Sequence, residues 1–336
     1  MNLKPNLRYR LFKWEFWPYY IFYIPVYFLY FGLSALSRSL SFMTLANPGM
    51  RYGGFFSYSK FDVLRQIPSK FLPKSAFFVE TPSLNKVKEQ MQKLNLTYPV
   101  ILKPDEGERG SGVEKIKNDK DLECYLSDKP ERIILQEFIT APHEFGVMYI
   151  RRPSEKKGKV TSVVFKDELY IVGDGENNLL TLFKNHPRAI LYIDFLKEKY
   201  ADRLNQILEN NEVLMLSKMG NHSRGAIFND ANHLINNLDT TLYDQISNHI
   251  DGFYFGRYDV KAESEEALIR GEFKVMELNG VNSEPAHIYD PENSIFNAYK
   301  DLFAHWWSIY EISKENRKQG YTETPFPTLV QSLMDK

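Results

Sequence analysis

Two short runs near the C-terminus constrain this chain more than any other part of it. Arg257-Tyr258-Asp259-Val260 and Val275-Met276-Glu277-Leu278-Asn279-Gly280 both read as strands, with Glu277 eighteen residues beyond Asp259. Side chains alternate across a strand, so Asp259 shares a face with Arg257, and Glu277 shares one with Asn279. A hairpin closed over an exposed loop from Lys261 to Gly271 would gather two carboxylates, one amide and one guanidinium on one surface. Hard oxygen donors of this kind suit Mg²⁺ held beside nucleotide phosphates. Two half-buried strands with a solvated polar face satisfy the same pattern.

At 336 residues the chain has room for about two domains. A net charge of −1 gives no global field for nucleic acid or anionic surfaces, so no nucleic-acid partner is expected. The one cysteine, Cys124, excludes an internal disulfide and sits in a helix-like run as a structural thiol. Aromatic residues make up 15% of the chain and concentrate near its start. Trp17 to Leu36 holds no charge over twenty residues, flanked by Lys4, Arg8, Arg10 and Lys13 before it and Arg38 after it. That length is enough for a helical span, but Pro18 and Pro25 interrupt it, and Tyr19, Tyr20, Tyr23, Tyr27 and Tyr30 favour the membrane interface. The basic flank favours a cytoplasmic N-terminus, and one crossing would then place the rest of the chain outside, away from nucleotide if that part uses it. The expectation is a segment, residues 14–36, that dips into or lies along the inner membrane face. A buried aromatic hairpin is the alternative.

Three regions follow: a membrane-associating segment (1–45), a short linker region (46–95) and the main body (96–330). In the body, strands are expected at 98–102, 114–116, 133–138, 145–150 and 159–165, and helices at 119–126, 189–210 and 241–249. Strands and helices mix without a regular βαβ beat, which predicts an α+β body with much antiparallel sheet. The helical spacing of Phe296, Tyr299, Leu302, Phe303, Trp306, Trp307 and Tyr310 predicts core packing.

Pro99 to Leu102 is a buried strand that ends in Lys103, and Gly107, Arg109, Gly110, Ser111 and Gly112 follow. Glycines let backbone N–H groups approach phosphate oxygens, and a strand-end cation neutralises them, although a plain hairpin loop looks the same. Further on, Ile133-Ile134-Leu135-Gln136-Glu137-Phe138-Ile139 is followed by Glu144. Backbone groups there can meet an adenine edge, and an acid seven residues on can accept from ribose hydroxyls. Glu137 and Glu144 also fit as surface carboxylates.

The order of these parts resembles the ATP-grasp superfamily, in its carboxylate–amine ligase branch of D-alanine–D-alanine ligase-like and cyanophycin-synthetase-like enzymes. The resemblance runs from about Leu94 to the C-terminus, and includes Val172-Gly173-Asp174-Gly175 and Gly220 to Gly225. It implies an ATP-grasp fold, with two α+β lobes and ATP between antiparallel sheets, behind the N-terminal aromatic helical segment. By position, it implies that Lys103, with Gly110, Ser111 and Gly112, contacts phosphates. Glu137, Phe138 and Ile139 line adenine, Glu144 holds ribose, and Lys166 adds a second lysine. Asp259, Glu277 and Asn279 hold two Mg²⁺ ions, while Arg257 and Arg224 stabilise the transferred phosphoryl group and the acyl intermediate. Asn221, His222 and Ser223, and Asn282, Ser283 and Glu284, become substrate contacts, with His287 close by.

The implied reaction activates a carboxylate as an acyl phosphate and joins it to an amine, with small-molecule or lipid-linked substrates. The chain departs from the branch in having too short a segment before Lys103 for a complete preceding domain. An ATP-grasp kinase acting on a hydroxyl and a non-catalytic nucleotide-binding membrane protein are the alternatives.

Overall fold

The computed structural model describes residues 13–107, 111–128, 131–216 and 226–335. Its strands are β1 (Ser75–Phe78), β2 (Val100–Pro104), β3 (Glu114–Ile116), β4 (Ile133–Glu137), β5 (His143–Ile150), β6 (Lys159–Asp167), β7 (Tyr170–Val172), β8 (Val213–Met215), β9 (Ile227–Asp230), β10 (Phe255–Ala262) and β11 (Phe273–Asn279). Two wholly antiparallel sheets form, in the orders β1-β4-β2-β3 and β11-β10-β5-β6-β9, beside a two-stranded β7-β8 ribbon. The α+β body with antiparallel sheet is as the residue pattern predicts.

The four-stranded sheet buries one face under helices Leu84–Lys93 and Asp119–Ser127. Their apolar stripes (Val87 and Met91; Leu122 and Tyr125) cover Val100, Leu102, Ile116 and Leu135. Ser83 and Asn118 cap these helices by accepting from Lys86 and Asp121 N–H groups. With Val100 and Leu102 committed to the helices, alternation turns Ile101 and Lys103 to the opposite face. That face meets the five-stranded sheet. β5 is the central strand of that larger sheet, and it is buried from Phe145 to Ile150.

Several expectations change. Region 46–95 is more than a linker: it supplies β1, which pairs with β4. Its Gly-rich loop packs under the β10–β11 ends, where buried Asn47 donates to Gly53 and Phe255 carbonyls and accepts from Tyr254 and Phe255 N–H groups. The loop expected at Lys261 to Gly271 contains helix Glu265–Ile269, capped by Ser264 and anchored by Ala267 and Leu268. The helix expected at 189–210 is a 3-10 turn, helix Ile193–Lys199 and another 3-10 turn. Cys124 is exposed rather than structural.

The uncharged N-terminal stretch divides into helices Tyr19–Phe22 and Ile24–Ser37, with Pro25 in the first turn of the second. Among the described residues no helix is long and apolar enough to cross a membrane. One face of the segment is spent inside the protein: Phe22, Val26 and Leu33 pack with residues of the long helix Ile295–Lys318. That long helix is only half core, since Phe296, Phe303 and Trp307 are exposed.

Candidate active site between the two sheets

The β10–β11 pairing sets the residues as alternation predicts. Arg257 lies opposite Asn279 and Asp259 opposite Glu277, with a bulge immediately after Asp259. Arg257 Nε donates to Asp259 Oδ1 at 2.8 Å, and Asn279 Nδ2 donates to Asp259 Oδ2 at 3.1 Å. From β6, Lys166 Nζ lies 3.2 Å from Asp259 Oδ2 and 2.8 Å from Glu144 Oε1. Gly146 on β5 makes this arrangement possible: a Cβ there would come within 3.0 Å of Arg257 Cδ and 2.8 Å of Val164 Cγ1.

Asp259 is 7% exposed, so its charge depends on these partners. Burial favours its neutral form, but Arg257 and Lys166 outweigh that and bring the carboxyl down to about 2. Burial likewise works against the Lys166 ammonium, and Asp259 with Glu144 reverses the sign and raises it. Arg257, Lys166 and Asp259 thus hold one another charged in a largely buried setting, where each charge acts strongly on its neighbours.

The other sheet delivers Lys103. Its Nζ reaches across to Met276 O at 3.1 Å and also donates to Gln136 Oε1 at 3.1 Å. Burial pulls this ammonium down to about 8, against the opposing pull of Glu277. Lys60 pairs with Glu277 Oε1 at 3.0 Å. It opens the short helix Lys60–Leu64, which Asp105 holds at the end of β2. The fully buried Asp105 carboxylate accepts from Ser59 Oγ, Phe61 N–H and Arg132 Nη2, at 3.0, 2.8 and 2.6 Å. Lys60, Gln136 and Asp105 escape a reading of the sequence. Ser59 caps the helix by accepting from Asp62 N–H, but nothing local ties residue 60 to residue 277.

Four cations (Lys60, Lys103, Lys166 and Arg257) thus face Glu144, Asp259 and Glu277 between the two sheets. Among the described residues, no three His, Cys, Asp or Glu side chains gather as a metal cluster. The candidate set is two carboxylates and one amide on paired strands. That hard-oxygen set fits Mg²⁺, which normally takes few protein ligands and completes its shell with phosphates and water.

Other expected residues fall in different places. Ser283 is buried and its hydroxyl donates to Gly280 O at 2.6 Å, so it closes the turn after β11 instead of facing substrate. Asn282 is exposed. The Glu284 carbonyl accepts from Arg257 Nη1 at 3.3 Å, and its carboxylate accepts from Tyr289 Oη at 2.8 Å. Burial pushes that carboxyl up to about 7. His287 is spent between Ser162 Oγ at 2.7 Å and Asp301 Oδ2 at 2.9 Å. Glu137 uses its N–H and its carboxylate on Lys74, extending the β1 edge, so that N–H is not open to an adenine. Phe138 lies under Lys115 Nζ, 3.6 Å from the ring centroid, and Ile139 is half-buried after it. Ser111 and Gly112 are exposed, with Gly112 in the left-handed region at φ +69°. Asp174 closes its own turn onto Asn177. Gly110, Asn221, His222, Ser223 and Arg224 lie outside the described residues.

No family model and no curated protein matches the chain. Many solved structures resemble it, among them the following three. A bifunctional glutathione synthetase from Pasteurella multocida is 17% identical over 76% of this chain and 38% of its own, with a TM-score of 0.38. A D-Ala:D-Ser ligase from Enterococcus faecalis is 14% identical over 76% and 61%, at 0.42. A D-alanine–D-alanine ligase from Bacillus anthracis, solved with ATP, is 12% identical over 78% and 67%, at 0.43. The chain therefore spans well under two thirds of the first of these. With TM-scores below 0.5, the functional reading rests on the cleft itself.

Proposed function

We propose that this chain is an ATP- and Mg²⁺-dependent ligase of the ATP-grasp kind, joining a carboxylate to an amine. One observation carries the reading: four cations and three carboxylates, all buried or half-buried, gather where Lys103 of one antiparallel sheet reaches the other. A site with this charge pattern can accept an anionic phosphate chain on its cations and a divalent ion on its carboxylates.

In the reaction, a carboxylate oxygen of the substrate attacks the γ-phosphorus of ATP and the bond to ADP breaks. An amine nitrogen then attacks the acyl carbonyl, phosphate leaves, and the nitrogen loses one proton to yield the amide. No nucleophilic side chain is needed, so the protein acts by positioning and charge neutralisation. Lys103, Lys60 and Lys166 bind phosphate oxygens. Arg257, with Arg224, neutralises oxygens of the acyl phosphate and the tetrahedral intermediate. Glu144 serves ribose, and the segment around Phe138 and Ile139 serves adenine. Ser111 and Gly112 belong to a loop that closes over the phosphates. Asp259, Glu277 and Asn279 would hold two Mg²⁺ ions, which supply neutralisation of phosphate charge when bound. The finer part of the proposal sets this chemistry at the cytoplasmic face of a membrane, through residues 14–36, with small-molecule or lipid-linked acids and amines as substrates.

The test is product analysis. Purified protein with ATP and Mg²⁺ is offered cell metabolites and lipid extract, and condensation products are read by mass spectrometry. ADP formed together with an amide supports the ligase. A phosphorylated product that never requires an amine supports a kinase instead, and no nucleotide turnover overturns both.

A further inference from the structure

This inference deepens the membrane part of the proposed function and is independent of the ligase chemistry. Helix Ile24–Ser37 with its short forerunner lies beside the long helix Ile295–Lys318. Phe22 stacks on Tyr299 with ring centroids 5.2 Å apart, and Tyr30 meets Trp306 edge-on at 5.3 Å. The order of those pairs makes the two helical segments run in the same direction. Outward, the first presents Ile24, Phe28 and Phe31, spaced by four and three residues and 48%, 77% and 60% exposed. The second presents Phe296, Phe303 and Trp307, at 81%, 38% and 49%.

Charge decides what covers this surface. Lys300, Lys314 and Lys318 are exposed on the same stripe of the long helix as its three outward aromatics, at spacings of three, four or seven. The acids of that helix are tied to partners: Asp301 to His287, Glu315 to Arg152, and Glu311 to Arg152 and, more loosely at 3.9 Å, to Lys314. Aromatic side chains alternating with lysines, with no unpartnered acid between them, suit a helix lying in the plane of an anionic headgroup layer. A second copy of the same stripe would offer these lysines no unpartnered acid, whereas anionic lipid supplies the opposite charge.

We propose that the two helices form one platform for an anionic lipid bilayer, with the aromatics at the acyl boundary and the three lysines on headgroups. The experiment uses the full chain and phosphatidylcholine vesicles, with and without phosphatidylglycerol, read by flotation. Variants are Phe28→Ser with Phe31→Ser, Phe303→Ser with Trp307→Ser, and single Lys300→Ala and Lys314→Ala, each checked for an unchanged melting curve. The expected result is binding that depends on phosphatidylglycerol. Either aromatic pair should lower it by about tenfold or more, and each lysine by about fivefold. If only the Phe28 and Phe31 changes matter, the platform is overturned while attachment through residues 14–36 stands. If the full chain binds no vesicle, both fail. A concentration-dependent dimer lost in the same variants would overturn lipid in favour of a second copy.

Discussion

The cleft and the two-helix face bury and expose opposite chemistry. In the cleft, Asp259, Lys103 and Lys166 are each only 7% exposed, and their charges are held in place by partners on five strands. On the helical face, Phe28 and Phe296 stand 77% and 81% exposed. Folding stability does not explain either arrangement: buried ion pairs contribute little net stability, and large apolar groups in water contribute none. On the proposed function, the first region serves an anion with a cation and the second a lipid layer.

The largest expected effect breaks the cleft. Glu277→Gln should lower Mg²⁺-dependent ATP turnover by about a hundredfold or more, with an unchanged fold. Turnover equal to that of the parent chain would remove Glu277 from the mechanism. Next, Asp259→Asn strands Arg257 as a buried cation without its carboxylate, leaves Lys166 with Glu144 alone, and should cost ~3 kcal/mol of stability in urea unfolding. The same network sets a pH dependence. The folded-state pKa of Asp259 is depressed, so its contribution is present above the ordinary carboxylate range and is lost as pH falls toward about 2. Asp259→Asn should therefore flatten the acid limb of the stability curve. Lys103 titrates in the opposite range. ATP affinity should fall as pH rises through about 8, where this ammonium loses its proton, and Lys103→Arg should remove that fall. The smallest effects sharpen the other side of the comparison. Phe22→Ala, at 3% exposure, should cost about 3 kcal/mol. Phe28→Ala, one helix face away, should change stability by less than about 0.5 kcal/mol.

Much of the cleft was legible in the sequence because strands repeat every two residues. The period puts Arg257 with Asp259 and Glu277 with Asn279, and the observed register pairs them across β10 and β11. It also gives the direction of Lys103 once Val100 and Leu102 are assigned to the core. The long-range partners were not legible. Lys60 reaches Glu277 because Asp105 clamps its helix, a contact no local pattern encodes. Short helices escaped for the opposite reason: Glu265–Ile269 is too brief to show a helical period. The long helix misled because it carries aromatics on more than one face, and periodicity alone cannot say that Phe303 and Trp307 look outward. Ser283 has the residue type of a substrate contact, yet the turn after β11 consumes its hydroxyl.

Titration calorimetry of ATP into the purified chain, with Mg²⁺ and then with EDTA, tests the central claim most directly. The account predicts saturable binding that needs Mg²⁺ and that Glu277→Gln and Lys103→Ala both weaken by at least about tenfold. ATP binding of equal strength in EDTA and in both variants, or no ATP binding by the parent chain, would contradict it.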